Sequence, residues 1–230
     1  MKRMYKTGFT LVELLIVIAL IAILSVAVLA TINPIEQANK ARDARVQNDA
    51  AEVMNAYERY YTTDQEYPWM QFTEAVAITV DDPVFYRSDM AGFGICYAAT
   101  SGASTADGTC NTSGTDLGLL IASDELKTSF AGKDEFTTPG DNNENALYAF
   151  KQSGSGGGVY VCYVPKAKSN RRQSDKLYCI SSGFGLDAAG TLVKASASGA
   201  DTCVALDETS ASWSTPTFTG TSGMFLCVPE

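Results

Sequence analysis

Glu13 is the residue whose type and position most directly imply chemistry. It is the sole charge in the apolar run from Phe9 to Ile32. A carboxylate inside an apolar span is costly, roughly 2.5–3.5 kcal/mol at a helix centre on insertion scales, and marks a functional position by default. No Lys or Arg inside the run can neutralise it. The counter-charge must come from another chain, or from a new amine made by cutting the backbone nearby. An α-amine made in that way would be cationic near neutral pH.

Six cysteines, Cys96, Cys110, Cys162, Cys179, Cys203 and Cys227, all lie beyond the apolar run. None forms a C-x-x-C pair, which argues against a zinc ribbon or a thioredoxin-type site. An even number in an exported domain reads as three disulfides formed in an oxidising compartment. Their pairing is not unique. Sequential neighbours are favoured, because Val159–Val164 and Lys176–Ile180 look like two strands of one hairpin, which would join Cys162 to Cys179. Lys166, Lys168, Arg171 and Arg172, with Lys176 beyond them, form a basic cluster in an otherwise acidic segment. Such a cluster can bind an anionic surface, or be the solvated loop between two strands. No aromatic residue interleaves it, so base stacking is unsupported and a nucleic-acid partner is disfavoured. Asp141, Asn143 and Glu144 are weak calcium candidates: oxygen-rich, without the regular spacing of a calcium loop. There is no histidine, which removes His-based triads and His-ligated zinc. Neither a phosphate-binding Gly-Lys motif nor a nucleophile elbow occurs. No metal, cofactor or catalytic site is implied, and the chain reads as a non-enzyme.

The elements that must position these residues follow from patterning. The 24 residues from Phe9 to Ile32 would span about 36 Å as a helix, enough for a hydrocarbon core of about 30 Å. An ordinary secretory signal has a shorter apolar region, and a plain anchor would leave Glu13 unexplained. Asn33-Pro34-Ile35-Glu36 is a helix-start signature, so the helix either kinks or restarts there. Val46, Ala50, Val53, Met54, Tyr57, Tyr60 and Tyr61 recur at helical spacing and predict a stripe packed on the protein's own sheet. Arg42, Asp43, Gln47, Asp49, Glu52 and Arg59 are expected on the opposite face. A helix from Phe9 to Tyr61 would be one long rod. Beyond Pro68, weak strand signals lie near 76–80 and 93–98, and a short helix is expected over Leu117–Leu126. Strands are expected over Ala146–Lys151, Val159–Val164, Lys176–Ile180 and Met224–Val228. The Gly/Ser-rich segment 153–158 should turn the first of these into the second. The net charge of −9 becomes −12 without Lys2, Arg3 and Lys6.

Gly8-Phe9-Thr10-Leu11-Val12-Glu13 behind a short basic head resembles the class III leader of bacterial type IV pilins and type II secretion pseudopilins. Residues 38–44 and 57–68 continue the likeness more loosely. The resemblance implies cleavage between Gly8 and Phe9, N-methylation of Phe9, and an assembly role for Glu13 at the fifth mature position. It implies a cleaved leader over 1–8, a long N-terminal helix over 9–62 that spans the membrane over about 9–32, and an extracytoplasmic head over 63–230. The expected fold is α+β: a long helix, half for membrane and assembly and half amphipathic, packed on an antiparallel β-sheet head stapled by disulfides. The implied partners are identical or related pilin subunits in a homo-polymer, prepilin peptidase, an inner-membrane assembly platform, and the membrane before assembly. The head would lie outside the cytoplasmic membrane, then on an extracellular filament. A structural filament subunit is the first reading and a pseudopilin the second. A secreted or anchored monomeric binding module is the reading of another class.

Overall fold

Residues 8–31, 33–71, 79–82, 84–95, 117–137, 144–154, 156–181, 191–194, 204–207, 209–210, 213 and 222–229 are described by the computed structural model. The chain divides into two compact units, Met1–Asn39 and Lys40–Glu230.

In the first unit, α1 (Leu11–Thr31) is apolar around its whole circumference, and its side chains from Leu11 to Val28 are exposed. A helix without a polar face has no stripe to bury against a soluble core and suits lipid or other helices. Leu11–Val28 is long and apolar enough to cross a membrane. The next helix, α2 (Pro34–Asp64), starts anew. The Glu36 N–H donates to Asn33 Oδ1 at 3.3 Å and the Gln37 N–H to the Asn33 carbonyl at 3.2 Å. Asn33 is therefore the N-cap and Pro34 the first helical residue, where its missing N–H costs nothing. Of the two outcomes expected at Asn33-Pro34, a kink or a restart, the capped start of α2 is the restart. Proline removes a backbone donor and clashes with the preceding turn.

The second unit is α+β. Strands β1 (Val84–Arg87), β2 (Leu147–Lys151), β3 (Val159–Tyr163) and β8 (Leu226–Val228) form an antiparallel sheet in the order β1-β2-β3-β8. Two small sheets pair β4 (Tyr178–Ser181) with β5 (Thr191–Lys194), and β6 (Val204–Ala205) with β7 (Ser222–Gly223). Short helices α3 (Leu119–Ala122), α4 (Asp134–Thr137) and α5 (Lys168–Arg171) punctuate the loops.

Alternate side chains of a strand point to opposite faces, and here both faces are covered. Val84, Tyr86, Leu147, Ala149, Val159, Val161 and Tyr163 join a core with Val46, Ala50, Val53, Ala56, Tyr57 and Tyr60 of α2. Tyr148, Phe150 and Cys162 point the other way, into a second core with Leu177, Cys179, Trp213, Met224, Phe225 and Cys227. That explains why β2 reads as a continuous buried run rather than as apolar–polar alternation. The Tyr57 hydroxyl donates to the Phe93 carbonyl at 2.6 Å, and burial pushes its phenol well above the usual range.

The predicted β2–β3 hairpin over the Gly/Ser turn is present. The predicted β3–β4 hairpin is not. The C-terminal strand β8 takes the place beside β3, and Tyr178, at the start of β4, bridges to Phe225 just ahead of β8. β1 carried no clear signal in the sequence, and the helix expected over Leu117–Leu126 is the single turn α3. The segment 76–80 lies largely, and 93–98 partly, outside the described residues.

Candidate functional site

α1 does not begin at Phe9. Its first helical residue is Leu11, and Thr10 is its N-cap. The Glu13 N–H donates to Thr10 Oγ1 at 3.3 Å, while Glu13 Oε2 accepts from the Thr10 N–H at 2.9 Å and the Thr10 hydroxyl at 2.6 Å. This reciprocal pairing is a capping box, for which T-x-x-E is the sequence signature. Glu13 thus has partners within its own chain, at a helix end whose dipole favours negative charge. Thr10-Leu11-Val12-Glu13 carries this capping-box signature in the sequence itself.

Gly8 and Phe9 stand ahead of the capped helix as exposed, non-helical backbone, with Phe9 80% exposed. A Cβ built on Gly8 would meet nothing within 4 Å. Among the described residues, nothing crowds this position.

In the head, two acids predicted for the solvent face of α2 are buried, which corrects that expectation. The Asp43 side chain is 0% exposed. It accepts the Lys166 N–H at 2.9 and 3.1 Å, the Ala167 N–H at 2.9 Å, the Asn170 amide at 2.9 Å and Arg42 Nη1 at 3.1 Å. This carboxylate accepts the two backbone N–H groups just ahead of α5 and the Asn170 amide within it, and so ties the basic loop to α2. Asp49 pairs with Lys133 Nζ at 2.6 Å, and buried Glu135 with Arg45 at 3.2 Å. A helix that must satisfy a long loop on one side carries buried acids that periodicity alone assigns to water. Truncating Asp43 to alanine would leave several buried donors unpaired, a loss of about 3–5 kcal/mol by analogy with broken buried ion pairs. Asp43→Asn, which keeps an acceptor, should lose much less. Denaturation of the full chain in detergent checks both, and an unchanged midpoint for Asp43→Ala would refute the role.

The basic cluster is partly consumed inside the molecule. Lys166 Nζ donates to Glu144 Oε1 at 3.1 Å and Asn145 Oδ1 at 2.8 Å. Arg171 Nε donates to the Pro165 carbonyl at 2.9 Å, and its guanidinium lies 4.8 Å from the Trp213 ring centroid. Lys168 and Arg172 are exposed to solvent, and Arg172 is engaged within the chain as well. Of the calcium candidates, Glu144 is held by Lys166, while Asp141 and Asn143 lie outside the described residues. No group of three or more potential ligands occurs among the described residues.

The favoured disulfide Cys162–Cys179 is corrected to Cys162–Cys227, with a Cα–Cα distance of 4.0 Å. The two residues face each other in register on β3 and β8. Neighbouring antiparallel strands bring opposite Cα atoms to about 4.5 Å in the closer pairs, within reach of a disulfide. Cys179 sits on β4 in another sheet; it is also disulfide-bonded, to a partner outside the described residues. Cys96, Cys110 and Cys203 lie there too.

Compared with known proteins, residues 3–29 match the prokaryotic N-terminal methylation motif, the class III prepilin leader. The match covers the basic head, the Gly8–Phe9 junction, the capping box and most of α1. It supports a type IV pilin-like or pseudopilin protein, hence a structural protein, processing by prepilin peptidase and assembly into pilus-type polymers. The leader and the apolar helix together fit membrane anchoring before assembly. No curated protein and no solved structure matches the chain.

Proposed function

We propose that this chain is a structural subunit of a type IV pilus-like surface filament, polymerised through α1 after removal of residues 1–8. The observation that carries the reading is the methylation motif set on an exposed Gly8–Phe9 junction, ahead of an apolar helix whose one charge is Glu13. While the precursor waits in the membrane, the capping box and the helix dipole hold the carboxylate without a cation. Cleavage then creates a cationic amine at Phe9, which N-methylation leaves charged. In the apolar surround of a growing filament, that amine and the Glu13 of a neighbouring subunit offset each other's desolvation. Matching the pair would set the axial register of each new subunit. The apolar circumference of α1 would pack against copies of itself, and the head would be displayed outward.

The mature chain is expected to begin at Phe9 and carry one N-methyl group. Intact-mass analysis of filaments sheared from cells, imaged by electron microscopy, checks both points. A mature start at Met1 or Thr31, or surface filaments that lack this chain, would overturn the reading.

A further inference from the structure

We infer that the head closes a covalent cross-link of its own, an isopeptide bond between Lys166 and Asn145, with Glu144 as the general base. The three side chains meet where the basic loop ahead of α5 touches the segment just before β2. Lys166 Nζ donates to Asn145 Oδ1 at 2.8 Å and to Glu144 Oε1 at 3.1 Å. The carbon to be attacked, Asn145 Cγ, is one C=O bond beyond the contacted oxygen. The bond would form within one folded head, whether or not the chain polymerises.

Attack on an amide needs a neutral amine, support for the carbonyl oxygen as it gains negative charge, and a proton for the leaving nitrogen. Glu144, in contact with Nζ, can take the proton and later return it. Arg42 faces the oxygen: its Nη2 donates to Asn145 Oδ1 at 3.4 Å, a long contact that would shorten as charge builds there. Two cationic donors on one atom also identify it as the amide oxygen, because an amide nitrogen does not accept. The groups are largely withdrawn from water, with side-chain exposures of 16% for Arg42, 26% for Lys166 and 31% for Glu144. Withdrawal from water strengthens each of these charge interactions.

The arrangement is held beforehand. Asp43 accepts both the Lys166 N–H and Arg42 Nη1, so one buried carboxylate fixes the backbone of the nucleophile and the donor that faces the amide oxygen. Arg42 also donates to the Val164 carbonyl at 3.2 Å and the Glu144 carbonyl at 3.1 Å. Reactants held at contact distance react as one molecule, without the entropic cost of encounter. The reaction is needed once in the life of the chain, so turnover is not required.

The step balances without a cofactor. Glu144 takes one proton from the Lys166 ammonium, and the freed electron pair attacks Asn145 Cγ. The C=O π pair moves onto Oδ1, opposite Arg42. Glu144 hands its proton to Nδ2, the Cγ–Nδ2 bond breaks, and Oδ1 regains its double bond. A second proton leaves Nζ through the restored carboxylate. The new bond is Nζ–Cγ, and the Asn145 nitrogen departs as ammonium with the two protons that Nζ gave up. Nothing is oxidised or reduced.

The test is tryptic mapping of the full chain, purified in detergent, then denatured and reduced so that no disulfide persists. The expected product is a branched peptide joining Lys166 to Asn145, lighter by one ammonia than its two parts and uncut after Lys166. Glu144→Gln keeps an acceptor for the lysine but not a base, and should abolish the branch. Lys166→Arg keeps a cation beside Glu144 and should abolish it too. Lys168→Ala, at an exposed position two residues on, should leave it at full yield. Recovery of linear peptides alone from the unaltered chain would overturn the bond. Loss of ammonia without a branch would mean that Asn145 had cyclised onto its own backbone at Ala146, which overturns the bond equally. A branch at full yield in Glu144→Gln would overturn the role of Glu144.

Discussion

Glu13→Ala is expected to abolish filaments, and so is Glu13→Gln, while both proteins still enter the membrane. The pair of variants separates two roles that one side chain carries. Glutamine is as acceptable as glutamate at the third position of a capping box, so Glu13→Gln keeps an acceptor for the Thr10 N–H and removes only the charge. Alanine removes both. Loss of a cap costs about 1 kcal/mol, less than a tenfold change in an assembly constant. An unpaired amine buried in an apolar filament core costs several kcal/mol, roughly 3–5 by analogy with broken buried ion pairs. At about 1.4 kcal/mol per tenfold, that is roughly two to four orders of magnitude for each added subunit. Charge pairing therefore predicts equal failure of the two variants. Sheared-filament yield and membrane fractionation are the measurements. Filaments at wild-type level from Glu13→Gln, with none from Glu13→Ala, would mean that Glu13 serves its own helix and the pairing is dispensable.

Loss of the Cys162–Cys227 bond is expected to be among the most damaging changes in the head. The two cysteines are 65 residues apart in sequence. Closing a loop of that length stabilises by about 4 kcal/mol in chain-entropy terms, against roughly 3 for the shorter loop that Cys162–Cys179 would have made. Total stabilities of single domains run to roughly 5–15 kcal/mol, so the bond is a large fraction of what holds the head together. The double variant Cys162→Ala, Cys227→Ala avoids leaving a free thiol and should unfold at markedly lower denaturant. Non-reducing peptide mapping should recover the two peptides joined. A peptide linking Cys162 to Cys179, or an unchanged unfolding midpoint in the double variant, would contradict this.

The Gly8–Phe9 junction, the apolar helix, Glu13, the restart at Asn33-Pro34, the α2 stripe and the β2–β3 hairpin were all legible in the sequence. Each rests on residues close together in the chain. A capping box closes over four residues, a helical stripe repeats every three or four, and a hairpin needs only a turn and two flanking runs. Local geometry is nearly independent of the rest of the fold, so composition and spacing suffice to read it.

Tertiary structure decided what depends on pairing across long separations. The sequence favoured β4 as the neighbour of β3, because it comes next and is apolar. The fold instead seats the C-terminal β8 there, and with it Cys227 opposite Cys162. Asp43 and Asp49 read as solvent residues because the donors that bury them come from Lys166–Asn170 and Lys133, far along the chain. Sheet register and buried hydrogen bonds are satisfied by whichever partner the whole core brings near, and one-dimensional spacing does not encode that partner.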